Sequence, residues 1–146
     1  MAGMVTIISD KVFVNPEYNE GNRELIVGCV GDAINGAIPD TDMVQLLQSY
    51  YSHLERSGKS LSGWGLWKIT VIPGIVGPTD NTDLHLLDTE GIDILDGNGE
   101  DCIKNTLKSQ IYPPVSPCYI GDKLTINVDN QVVALAEYEI KFHLIR

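Results

Sequence analysis

The sequence predicts a mainly β fold with one α-helix: an antiparallel β-sandwich or barrel with a helix, at about residues 42–57, packed on it. Three observations point there. Short β-branched runs separated by turn residues occupy most of the chain, one stretch alone has helical period, and the last 26 residues alternate apolar and polar side chains. A chain of 146 residues suits one domain, 1–146, burying roughly 68–70% of the surface its unfolded form exposes. It contains no internal repeat and no boundary linker.

The elements follow in order. Val5 to Ile8 and Val12 to Val14 read as a strand pair or one bent strand, broken at Asn15-Pro16. Leu25 to Val30 is continuously apolar and reads as a buried central strand, ended by Gly31-Asp32 and Asn35-Gly36. Met43, Leu46, Leu47, Tyr50 and Leu54 then recur at helical spacing, with Thr41 or Asp42 as N-cap, Arg56 in the last turn and Gly58 as terminator. Gly58 to Gly65 reads as an exposed loop. Trp67 to Ile72 alternates with Trp67, Ile69 and Val71 directed inward, and Pro73-Gly74 stops it. Asp83 to Leu87 and Ile92 to Leu95 read as a hairpin around Glu90-Gly91. Residues 100–111 suit a short helix or a strand, and Tyr112 to Pro117 an extended connection. Leu124 to Val128 and Tyr138 to Leu144, joined at Asp129-Asn130, read as a half-buried antiparallel hairpin.

Charge and composition exclude several classes. Twenty acidic residues against ten basic give a net charge of −10, and the basic ones are scattered singly, so nucleic-acid binding is not expected. The longest apolar run, Leu25 to Val30, is far shorter than the ~20 residues of a membrane span. No secretory signal pattern opens the sequence, and synthesis in the cytoplasm is expected. Cys29, Cys102 and Cys118 have no ligand-like or paired spacing and read as packed thiols.

Motifs for chemistry fail on their spacing. Gly58-Lys59-Ser60 lacks the glycine of a phosphate loop at position 53, which is His53, and follows the predicted helix instead of opening one. His53, His85 and His143 have no partners at ligand spacing, and no hydrolase or metalloprotease motif occurs. Neither an enzyme nor a cofactor is expected. The segment 80–101 holds eight carboxylates and no Lys or Arg. Within it Asp96, Asn98 and Glu100 have calcium-loop spacing, but Asp101 stands where that loop needs Gly and Leu107 where it needs Glu, so solvated turn carboxylates are the simpler reading. Tyr50 and Trp67 read as core residues. Trp64, in a Gly-flanked loop, is the aromatic whose exposure would mark an interface.

Several segments carry a family resemblance. They are Ile69-Thr70-Val71-Ile72-Pro73-Gly74, Pro78-Thr79-Asp80-Asn81-Thr82-Asp83-Leu84, and Asp88 through Asp93-Ile94-Leu95-Asp96 to Gly99, with Gly121-Asp122-Lys123-Leu124-Thr125-Ile126 and the closing Phe142-His143-Leu144-Ile145-Arg146. Together they resemble small β-rich proteins from the structural modules of tailed bacteriophages. The resemblance spans about half of the chain, implies a virion-associated β domain, and transfers no catalytic residue. It implies a capsid auxiliary, or decoration, protein that binds and stabilises the major capsid protein shell, or else a tail, connector or fibre-attachment component. Symmetric placement on a shell implies a homo-oligomer, C3 or C2, located in the virion. A β-sandwich carbohydrate-binding module is the alternative from another class, and it needs Trp64 and neighbouring tyrosines in one groove. The expected interaction residues are therefore Trp64 and, on the acidic segment as rim or docking surface, Asp80, Asp83, Asp93 and Asp96.

Overall fold

A computed structural model describes residues 1–15, 17, 20–51 and 60–146. Among these residues the elements are β1 (Met4–Asn15), β2 (Glu20–Val30), β3 (Thr41–Asp42), α1 (Met43–Tyr50), β4 (Gly65–Pro73), β5 (Asp83–Leu87), β6 (Ser109–Ile111), β7 (Cys118–Tyr119), β8 (Thr125–Asp129) and β9 (Glu137–Ile145). They form two antiparallel sheets in two layers: a six-stranded sheet in the order β1-β2-β9-β4-β6, with β7 also on β4, and a three-stranded sheet β3-β8-β5. The predicted sandwich with a helix is the observed architecture.

The core lies between the layers because strands on both sides alternate. Leu25, Val27 and Cys29 of β2, Tyr138, Ile140, Phe142 and Leu144 of β9, and Ile69 and Val71 of β4 face Leu84 and Leu86 of β5 and Ile126 of β8, all buried. The two N-terminal runs form one strand, bent at a β-bulge between Ile7 and Ser9. β2 is indeed interior, flanked by β1 and β9, and alternates in burial along its length. β6 settles the ambiguous 100–111 segment in favour of a strand at its end.

Five expectations require correction, two of strand pairing and three of aromatic placement. β8 and β9 are not a hairpin, since they lie in opposite sheets and their apolar faces meet across the core. A two-residue hairpin turn of the favoured type needs two consecutive positive φ values. Here Asn130 (φ 68) turns the chain alone, and the next positive φ among non-glycine residues is at Leu135 (φ 56). The run Ile92 to Leu95 is likewise not a strand: its backbone pairs with β5 at one isolated bridge, Leu87–Asp93. The Asp93 side chain accepts the Leu86 N–H itself, which replaces a ladder bond and bends the chain away (3.0 Å).

The aromatic assignments also change. A second β-bulge lies between Leu66 and Lys68, and Trp67 is its extra residue. One inserted residue reverses the facing of everything before it, so Leu66 points inward and Trp67 is displaced to the outer surface, 36% exposed. Trp64, only 1% exposed, fills the core beneath Gly21. In α1, Asp42 is the N-cap and accepts the Val44 N–H (3.0 Å), while Met43 and Leu47 are buried. Tyr51, not Tyr50, continues that stripe, because the i+4 step from Leu47 falls on it, and Tyr50 is exposed. Residues 52–59, with Leu54, Arg56, His53 and the Gly58-Lys59 pair, lie outside the described residues.

Candidate interaction surfaces

The acidic segment folds by using its own carboxylates. Asp93 Oδ1 accepts the N–H groups of Leu86 and Leu95, each at 3.0 Å, and Oδ2 accepts that of Gly97 at 3.2 Å. Asp88 Oδ1 accepts the Glu90 and Ile92 N–H groups. Asp83 accepts the Asp101 N–H at 2.8 Å and the Asn130 amide at 2.5 Å, and Asp80 accepts the Asn105 N–H at 3.2 Å. These are side-chain turns that hold a loop rich in reversals, with positive φ at Gly91, Asp96, Gly97 and Asp101. Asp96 is exposed. Among the described residues no three acidic, His or Cys side chains converge as a metal would require.

Trp64 is not an interface residue in this fold. The guanidinium of Arg23 lies 5.4 Å from its ring centre and that of Arg146 5.6 Å. Behind it sits a buried ion pair. Arg23 Nε and Nη2 donate to the two oxygens of Asp10 (2.8 and 2.7 Å), Arg23 Nη1 donates to the Ser60 carbonyl (2.9 Å), and the Tyr51 hydroxyl donates to Asp10 (2.5 Å). Both charged side chains are fully inaccessible. Burial, followed by the bond to the Asp10 carboxylate, pushes the Tyr51 phenol well above its ordinary value. Alternation supplied a signal for this pair, since Arg23 is in phase with inward Leu25 and Val27, and register sets Asp10 opposite Leu25.

A different surface stands out at the end of the sandwich where β2 and β4 finish and β9 begins. Three loops, 31–37, 73–78 and 130–136, interlock there. Gly31 N–H donates to the Ala136 carbonyl (2.8 Å), Leu135 N–H to Asp32 (3.2 Å), and Glu137 N–H to Val76 (2.7 Å). Buried Gln131 is the clamp: Nε2 donates to the carbonyls of Gly36 (2.5 Å) and Val133 (3.0 Å), while Oε1 accepts the N–H groups of Thr79 and Val133, each at 3.0 Å. Asp32 accepts the Ile34 and Asn35 N–H groups, which lower its carboxyl pKa. Gly36 has φ 74, and a Cβ there would lie 2.6 Å from the Val132 backbone, so only glycine fits.

From this fixed backbone Ile34, Ile75, Val76, Val132 and Leu135 project into solvent. Ile34 is 89% exposed and Ile75 wholly so. Isolated exposed apolar residues are ordinary, but five on one hydrogen-bonded loop cluster make a candidate interaction surface. The sequence signal was the apolar pair Ile75-Val76 directly after the Pro73-Gly74 strand stop, where a loop is normally polar.

The outer face of the large sheet is the remaining surface. Register places Lys11, Glu24, His143 and Lys68 in one row, Ser9, Ile26, Lys141 and Thr70 in the next, and Thr6, Gly28, Glu139 and Ile72 beyond. His143 Nε2 lies 3.1 Å from Thr70 Oγ1, and Nδ1 4.0 Å from Glu24. Burial, then Lys68, lowers the His143 pKa. Fold and surfaces together define an antiparallel β-sandwich with an apolar end of interlocked, hydrogen-bonded loops. No family model matches the chain, and neither the curated proteins nor the solved structures include a match.

Proposed function

We propose that this chain is a non-enzymatic virion structural protein, a capsid auxiliary (decoration) protein that docks on the major capsid protein and stabilises the shell. The observation that carries the reading is the apolar loop end, whose three loops are tied together by the hydrogen bonds of Gln131 and by the close approach at Gly36. Preorganised apolar surface binds without a further ordering cost. The family resemblance supports the virion setting, and tail, connector or fibre-attachment placement is the neighbouring form of the same reading. The acidic segment serves as the solvent-facing rim, because half of its carboxylates, those of Asp80, Asp83, Asp88 and Asp93, serve its own turns. Such a rim keeps −10 subunits soluble in the host cytoplasm before they assemble in the virion, where repetition on a shell favours a C3 or C2 homo-oligomer. A carbohydrate groove built on Trp64 loses its anchor, since that ring is buried. Purified protein added to undecorated capsids should co-sediment with them and raise their disruption temperature; absence of both effects refutes the proposal.

A further inference from the structure

We infer that the open cleft over Gly28, on the outer face of the six-stranded sheet, receives a basic side chain, arginine or lysine, carried by the protein on which the apolar end docks. The inference rests on the docking reading above and names the chemistry of its partner. The cleft has a volume of about 360 Å³ and is walled by Ile8, Val30, Ile72 and Pro73, with Glu137 and Glu139 among its lining residues. It exists because β2 has no side chain at Gly28, in the row Thr6–Gly28–Glu139–Ile72. The β1 bulge supplies one wall: a Cβ on Gly28 would lie 2.9 Å from Ile8 Cδ1.

Its chemistry selects the occupant. Aliphatic walls suit a methylene stem, and a carboxylate rim suits a cationic head, the division found along an arginine or lysine side chain. Among the described residues neither Glu137 nor Glu139 has an ion-pair partner within 4.0 Å. The cations of this face, Lys11, Lys68 and Lys141, stand in the rows on the other side of Glu139, so the cleft is the acidic end of the sheet. That end adjoins the apolar loops directly, since Pro73 and Gly74 line the cleft, Gly74 N–H donates to the Glu137 carbonyl, and Glu137 N–H donates to Val76. One partner surface, apolar with a neighbouring basic residue, meets both features at once.

The test uses a blocked pentapeptide with a central arginine between two leucines, titrated into isotopically labelled protein and followed by backbone amide shifts. The expected result is saturable shifts confined to Gly28, Ile72, Glu139 and their neighbours. Replacing the arginine with norleucine, or Glu139→Gln in the protein, should weaken binding about tenfold, the loss of one charge-assisted contact. Gly28→Val, whose Cβ meets the Ile8 side chain and Thr6 Oγ1 and no backbone, should abolish the shifts while amide dispersion shows an intact fold. Shifts that are absent, scattered, or equal for the norleucine peptide overturn the inference. The docking reading is judged separately, by whether wild-type protein binds the shell at all.

Discussion

Gln131→Glu changes one amide to a carboxylate of the same shape at the centre of the loop end. In the wild type Nε2 faces two carbonyl oxygens, of Gly36 and Val133, and Oε1 faces N–H groups, so the orientation of the amide is fixed by its partners. Glutamate places an acceptor against two acceptors, taking the side-chain donor from the Gly36 carbonyl and leaving the Val133 carbonyl with the Ala136 N–H (3.2 Å). An orphaned buried carbonyl costs about 1–3 kcal/mol and a carboxylate buried against two acceptors about 2 kcal/mol more, which puts the loss at about 3–5 kcal/mol. For a chain of 146 residues 1 kcal/mol moves the melting midpoint by about 3 °C, so the midpoint should fall by about 10–15 °C. Thermal denaturation at pH 7 and again near pH 4 measures it. The deficit should narrow in acid, where a protonated carboxyl regains one donor. A midpoint unchanged at pH 7 would refute the claim that Gln131 holds the three loops together.

Three further outcomes follow from the interior and the acidic loop. Asp10→Asn removes the buried carboxylate charge that takes two Arg23 donors and the Tyr51 hydroxyl and should destabilise by about 3–5 kcal/mol, whereas the joint Asp10→Leu, Arg23→Met replacement should recover part of that loss in a denaturant titration. Asp93→Ala removes the acceptor of three backbone N–H groups and should cost about 1–3 kcal/mol. Asp96→Gly, at a positive φ with an exposed side chain, should be neutral or stabilising, and equal losses at the two sites would contradict the turn geometry. Burial, opposed in part by the Tyr138 hydroxyl, pushes the Cys29 thiol from 9.0 to about 12. The unfolded chain then releases that proton first, so stability is intact below pH 9.0 and falls as pH rises toward about 12. Cys29→Ala should flatten this alkaline slope in melting curves, although the raised Tyr51 and Tyr138 phenols keep part of it.

What the sequence conveyed was local. Alternation along Ile69 and Val71 and along Tyr138 to Leu144 identified β4 and β9 and those inward faces, the short run Asp83 to Leu87 identified β5, and a cap at Thr41 or Asp42 placed the start of α1. What it did not convey was pairing. Nothing in residues 124–144 says that β8 and β9 oppose each other across the core, since two alternating runs satisfy a hairpin and a sandwich equally well. The exchange of Trp64 and Trp67 has the same origin: a bulge is one extra residue relative to a distant strand, and Leu144 and His143 set that register from the far end of the chain. Among the anticipated interaction residues, Asp80, Asp83 and Asp93 lie on the surface expected but spend their oxygens on local N–H groups, which spacing alone cannot reveal. The apolar end was missed because its five residues come from three separate loops, and only the Ile75-Val76 pair departs from ordinary loop composition by itself.

Docking through that end is the central claim, and a binding isotherm on undecorated capsids tests it most directly. Wild-type protein should saturate the shell, Ile75→Asp and Val132→Asp should each weaken binding by at least about tenfold without lowering the melting midpoint, and Phe13→Asp should bind as wild type. Phe13 is the control because it is equally exposed but lies at the far end of β1, against Asn22. Equal binding by all four proteins, or loss only with Phe13→Asp, would contradict the account.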